Sequence, residues 1–465
     1  MLFQLVGRVF NLALGVVVTA VVARALGGEG FGQWSTILVV AQMAEFLANL
    51  GVEQVGVRRA AAEPEREADW IGALVVIRVL LSIPATITSA VAVVLLAVND
   101  EMLTAGLLVS ATVLLAGPGS TRALLQTRVR NDLNIAAITF NSLVWTGAAI
   151  ALAVSDAGMV AFAVAFVVAG VAAAGLQVAL ALRVGPIHLR GVRPLLRPLA
   201  RVGLPLAVSG LLILAYARID QLLVFELAGS EDAGLYAAAY RIMEQSHFLP
   251  IAVTTTLLPL VSAAYPSDPV RVREMLQRAG DYLTIAALPL FAFTLAASEP
   301  LIRALFGEPF APASPALPVL MAAFLFVCLG YLTGNMVVVL GLQRRFLVYA
   351  TVGLVFNVAL NVVLIPEYGF LAAAWVTLGT EAVVVGLTAL TVARRLEFRP
   401  RLNRVGRAVL AAAGMAGAVW GLNEAGAPFA VLLAAGAVYP ALVLALRAIT
   451  VDELRGLLAR GGRPA

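Results

Sequence analysis

The feature that most constrains this chain is a long succession of apolar runs, each about twenty residues long. They lie near residues 3–23, 35–55, 71–97, 102–120, 134–154, 158–182, 203–227, 233–262, 279–298, 314–341, 346–365, 370–393, 408–422 and 427–447. A helix rises about 1.5 Å per residue, so one such run spans a hydrocarbon core roughly 30 Å thick. The pattern predicts an all-α polytopic membrane protein of about 14 transmembrane helices. Composition agrees: 61% of residues are hydrophobic and 13% charged, against roughly 45–50% and 25% in soluble domains. A chain this apolar lacks the polar surface to cover itself in water. The first run is too long for the core of a secretion signal, and the motif after it recurs later, so it reads as a span.

The connections alternate in charge. One set holds Arg58, Arg59 and Arg66, then Arg122, Arg128 and Arg130, then five arginines over 183–201, three over 271–278, Arg344 and Arg345, and six over 394–407. The other set holds Arg24, Arg303 and short acidic turns such as Asp100-Glu101 and Glu231-Asp232. Cytoplasmic loops collect basic residues, which places both termini in the cytoplasm. The net charge of +5 is therefore a topology signal and calls for membrane lipids, not nucleic acid, as partners. Cys328 stands alone, and His188 and His247 lack metal-ligand spacing, so no disulfide, metal or cofactor is expected. No loop is large enough to hold an enzyme's extramembrane site, and the chain is read as a non-enzyme.

Two segments repeat. Leu26-Gly27-Gly28-Glu29-Gly30-Phe31-Gly32-Gln33-Trp34 follows the first run, and Leu227-Ala228-Gly229-Ser230-Glu231-Asp232-Ala233-Gly234-Leu235-Tyr236 follows the seventh. Each is a small-residue turn, an acid, then Gly-x-aromatic opening the next helix. Phe140-Asn141 is echoed by Phe356-Asn357, and Ala157-Gly158 by Tyr368-Gly369. The expected organisation is an N-terminal six-helix lobe over 1–183, a basic linker over 184–202 and a second six-helix lobe over 203–393. A basic linker over 394–407, two extra helices over 408–447 and a cytoplasmic tail over 448–465 complete it. Six spans is an even number, so the lobes form a parallel repeat, an arrangement that encloses a substrate path in a central cavity.

The same segments carry a resemblance. Ala23-Arg24-Ala25-Leu26-Gly27 through Gly32-Gln33-Trp34, Leu50-Gly51-Val52 with Arg58, and Arg218-Ile219-Asp220 with Gly234-Leu235-Tyr236 resemble motifs of the Wzx-type polysaccharide-lipid flippases. So do Asn357 to Asn361, Leu364-Ile365-Pro366-Glu367-Tyr368-Gly369 and the ending Thr450-Val451-Asp452-Glu453-Leu454. The family belongs to a superfamily that also holds multidrug exporters and lipid II flippases. The resemblance implies a bacterial inner-membrane protein that translocates an undecaprenyl-pyrophosphate-linked oligosaccharide by alternating access. It also implies a polysaccharide polymerase and a chain-length regulator as partners. A small-molecule exporter, a lipid II flippase, a scaffold and a sugar polymerase remain the alternatives.

Ionisable residues within spans cost at least about 2.5–3.5 kcal/mol and are functional candidates for that reason. Arg8, Arg78, Arg218 and Arg241 are the candidate cationic groups, because a guanidinium fork pairs phosphate oxygens bidentately. The alternative is that Arg8 and Arg78 snorkel to the cytoplasmic headgroups, which suits Arg8 better than the deeper Arg78. Glu53 and Glu244 are read as charge partners; Arg241 and Glu244, three residues apart, share a helix face. Asp220, Glu45 and Glu381 are the candidates for coupling to a proton or sodium gradient. Trp145, Tyr236 and Tyr240 could stack on sugars or anchor helices at the interface.

Overall fold

The computed structural model describes residues 2–450 and Glu453, with side chains described for 7–203, 210–212, 214–450 and Glu453. The remaining tail residues of the expected ending, Val451, Asp452 and Leu454, lie outside the described residues. Among the described residues the regular structure is helix throughout. The chain forms two compact units, Met1–Ala237 and Ala238–Ala465.

The first unit holds α1 (Leu2–Asn49), α2 (Val52–Ala62), α3 (Glu67–Leu96), α4 (Asp100–Ala111), α5 (Ala116–Gly119), α6 (Arg122–Thr127), α7 (Asn131–Val154), α8 (Met159–Val184) and most of α9 (Arg193–Ser246). The second holds α10 (Phe248–Ala264), α11 (Pro269–Phe306), α12 (Ala316–Val339), α13 (Gln343–Leu396), α14 (Asn403–Glu424), α15 (Phe429–Gly436) and α16 (Tyr439–Ala445).

Three of these helices are pairs of spans folded at a glycine. Gly27 (φ 69°, ψ −178°) breaks α1, Gly229 (φ 92°, ψ 178°) breaks α9 and Gly369 (φ 59°, ψ −151°) breaks α13. Only glycine adopts such angles without strain. With each broken helix taken as two crossings, α4–α5 as one, α10 continuing the second limb of α9, and α15–α16 as one, the architecture has the expected count of about fourteen. Nine helical stretches among the described residues are long and apolar enough to cross a membrane, and two of them, Gly7–Ala62 and Gln343–Leu396, contain a folded pair.

The connector after α8 is extended only over 185–192; Arg193, Arg197 and Arg201 already ride on α9. It is pinned to α3: the His188 N–H donates to the Ala68 carbonyl at 3.1 Å, and the His188 ring meets Asp69 at 2.9 Å. Gly72 lets the strap close, since a Cβ there would collide with the His188 carbonyl.

The first unit packs Val52, Trp70, Leu74, Ile77, Leu124 and Leu199 around that end. The second packs Ile285, Ala292, Ala411, Met415, Leu432 and Tyr439. Outward faces stay apolar, as at Leu80, Ile87 and Leu95 of α3, which suits lipid as solvent and not water.

Candidate functional site

The densest buried charge in the first unit lies where α2, α3 and α6 meet. Arg78 of α3 is 1% exposed. Its Nη1 donates to Glu53 Oε2 of α2 at 3.0 Å. The same carboxylate takes a bidentate fork from Arg122, with Nε to Oε1 at 2.5 Å and Nη2 to Oε2 at 2.7 Å. Two guanidinium groups thus share one carboxylate, and Arg78 Nε is left without a hydrogen-bond partner. Glu53's hydrogen bond holds the Arg122 guanidinium above its usual range, so it stays charged. Glu45 is exposed on α1, within electrostatic reach of both arginines but not ion-paired to either among the described residues.

Arg122 escaped the sequence reading. In the sequence it is one more basic residue after Gly117-Pro118-Gly119, and only the short α6 turns it back onto Glu53. Its neighbours repeat the pattern: Arg128 Nη2 and the Thr127 hydroxyl both reach the buried Glu67, at 2.5 and 2.6 Å. Arg8 stands apart from this cluster. It is exposed on α1 and makes no ion pair among the described residues.

At the folded ends of α1 and α9 the two repeated motifs meet. A Cβ at Gly32 would collide with the Ser230 carbonyl, and one at Gly234 with the Gly28 carbonyl. The contact is reciprocal, the geometry of an isologous pair. Gln221 Nε2 staples it, donating to the Ser35 hydroxyl and to the Ala233 carbonyl, both at 3.1 Å. One residue earlier, Asp220 is buried and accepts from the Tyr236 hydroxyl at 3.3 Å. Arg218 is half-buried on the same limb. Trp145 packs among Trp34, Phe162 and Phe166, with ring centroids 6.0, 6.5 and 5.3 Å away.

In the second unit, Arg241 Nη1 donates to Glu244 Oε2 at 2.7 Å across three residues of α9. Both are half-buried. Glu381, half-buried on the second limb of α13, acts electrostatically on the Tyr331 hydroxyl of α12. Asn361 donates to Asn357 at 3.0 Å on the first limb, both side chains buried. Among the described residues no group of three or more His, Cys, Asp and Glu is placed to hold a metal ion.

Known proteins match this chain at three levels. A family described as polysaccharide biosynthesis protein matches residues 21–315. A relative from Haloferax volcanii, "Probable flippase AglR", is 25% identical over 208 residues, which is 44% of this chain and 43% of that protein. The match thus spans less than half of that relative's length. Among solved structures, "Lipid II flippase MurJ, inward closed conformation" superposes with a TM-score of 0.78, covering 98% of this chain and 99% of that one at 12% identity. An inward-facing multidrug resistance MATE family transporter of the MOP superfamily superposes with a TM-score of 0.62, covering 84% of this chain and 94% of the other at 16% identity. The fold is therefore the one these transporters share. With well over half of its length inside the matched region, the chain belongs to the polysaccharide biosynthesis protein family.

Proposed function

We propose that the chain is a flippase that carries a polyprenyl-pyrophosphate-linked oligosaccharide from the cytoplasmic to the outer leaflet of the bacterial inner membrane, for surface polysaccharide synthesis. The family match over residues 21–315 carries this reading. It contains both glycine motifs and the Glu53–Arg78–Arg122 cluster. In the proposed cycle both termini are cytoplasmic, and the site alternates between the two faces. Arg8 serves the pyrophosphate at the arginine-rich end, joined by Arg78 once it leaves Glu53 and its buried position, and Arg218 and Arg241 serve it nearer the other. Asp220, Glu45 and Glu381 are the groups through which an ion gradient biases the cycle. The reciprocal glycine contact supports alternating access: two bare backbones that pack without side chains can part and re-form with little rearrangement.

The test is translocation of a fluorescent polyprenyl-pyrophosphate oligosaccharide in proteoliposomes, read by quenching of label in the outer leaflet. Translocation above protein-free vesicles supports the proposal. Efflux of organic cations with no lipid movement would assign the chain to drug export. A second reading, transport of lipid II for the cell wall, is favoured by the end-to-end fold match to the lipid II flippase. The same assay with labelled lipid II separates the two.

A further inference from the structure

The helix α11 contains two prolines, Pro289 and Pro300. Proline has no N–H, so each leaves the carbonyl four residues earlier without its helical donor. Those carbonyls belong to Ile285 and Ala296, and both residues are buried. The Ile285 carbonyl lies well inside the span over 279–298, where no water can satisfy it and an orphaned carbonyl is expensive; the Ala296 carbonyl lies near the end of that span.

Both receive donors from the last helices of the chain. The Tyr439 hydroxyl, at the start of α16, donates to the Ile285 carbonyl at 2.7 Å in a fully buried bond. Asn423 Nδ2, near the end of α14, donates to the Ala296 carbonyl at 3.3 Å. The next residue, Ala297, is where α11 leaves helical geometry (φ −149°, ψ 40°). Along the same face, Ala408, Ala411, Met415 and Val419 of α14 share a buried apolar cluster with Ile285, Leu288, Ala292 and Ala296 of α11. At the entrance to α14 a third tie sets the register. Gln277 Nε2 donates to the Arg401 carbonyl at 2.9 Å, and the Arg401 N–H donates back to Gln277 Oε1 at 2.8 Å.

We propose that the pair formed by α14 and α15–α16 is a hydrogen-bond brace that fixes α11 at its two prolines, supplying one side-chain donor for each. On this reading the two extra helices are not an accessory to a twelve-span transporter. They complete a helix that cannot satisfy its own backbone. The inference concerns the second unit alone and holds whatever the chain transports.

The test is a double-mutant cycle on thermal unfolding of the full chain in detergent. Tyr439→Phe orphans the Ile285 carbonyl and lowers the unfolding temperature by about 2 °C. Pro289→Ala restores a backbone N–H to that carbonyl, so Tyr439→Phe in that background leaves the temperature unchanged. Asn423→Ala is neutralised in the same way by Pro300→Ala. Crossed pairs, such as Tyr439→Phe with Pro300→Ala, keep the full loss. An equal loss from Tyr439→Phe in the wild-type and Pro289→Ala backgrounds overturns the brace. A second readout does not depend on the proline variants folding. Spin labels replace the exposed Val270 and Leu295, on either side of Pro289, in a Cys328→Ala chain. Their distance distribution broadens on Tyr439→Phe if the brace fixes α11 at Pro289, and an unchanged distribution overturns it.

Discussion

Gly32 lies flat against the backbone of Ser230, so close that any side chain at position 32 would strike the Ser230 carbonyl. Gly234 stands in the same relation to Gly28. Gly32→Ala and Gly234→Ala should each cost about 1–3 kcal/mol, the usual range for overpacking, and slow lipid translocation in parallel. Gly28→Ala is the control: its added methyl would have nothing nearer than Glu231 Cγ at 3.7 Å, ordinary contact distance. Thermal unfolding and translocation measured on all three variants check the claim. Equal effects at positions 28 and 32 would contradict it.

Glu53 is the hub of the charge cluster, and the two ways of breaking it differ in cost. Removing one partner of a buried pair destabilises by about 3–5 kcal/mol because a buried charge is left uncompensated. Glu53→Gln leaves both guanidinium groups without their shared anion and should reach that range. Arg78→Ala leaves Glu53 still held bidentately by Arg122 and should cost clearly less. Chemical denaturation in detergent ranks them. A larger loss for Arg78→Ala would mean that Arg122 does not hold the carboxylate.

Asp220 is buried and accepts from Tyr236. If it couples an ion gradient to transport, Asp220→Asn should abolish the response of translocation to an imposed proton or sodium gradient while leaving downhill movement of lipid. Tyr236→Phe should shift the pH dependence without abolishing the response. Proteoliposomes with and without each gradient provide the measurement. An Asn variant that responds normally removes Asp220 from the mechanism.

The tail offers a pH prediction outside the membrane. The Glu453 carboxyl is held below its usual range, first by the Thr450 backbone N–H and then by the Arg404 guanidinium, which lies 2.7 Å away. The folded value is lower than the unfolded one, so docking is at full strength above about pH 4.5. It is lost as pH falls through the lowered value. Hydrogen exchange at the Thr450 amide, corrected for the intrinsic rate, should show protection at neutral pH that disappears in acid. Arg404→Ala should move that loss to higher pH.

The sequence made the backbone organisation legible because each signal was local. Apolar runs set the crossings, and Gly27 and Gly229 marked hairpins through residues only glycine can replace. Side-chain partners were less legible. Arg122 looked like a topology charge because its role depends on how the short α6 turns toward α2. Pro289 and Pro300 each remove a backbone donor, but nothing along the chain ties the carbonyls they leave to Tyr439 and Asn423, well over a hundred positions later. Helices as uniformly apolar as α12, where Leu, Val, Ala and Phe occupy every face, give no rotational cue. Trp145 illustrates this: it packs against Trp34, Phe162 and Phe166, a contact invisible to any pattern on α7 alone.

The hairpins at Gly27, Gly229 and Gly369 reverse the chain without a loop, and they bear on where the chain can be tagged. An epitope tag inserted there would split a folded pair of helices. Gly426 is different: it sits in the turn between α14 and α15 with a left-handed φ of 72°, and nothing lies within 4 Å of where its side chain would be. Site-specific labelling of this chain should begin at that turn.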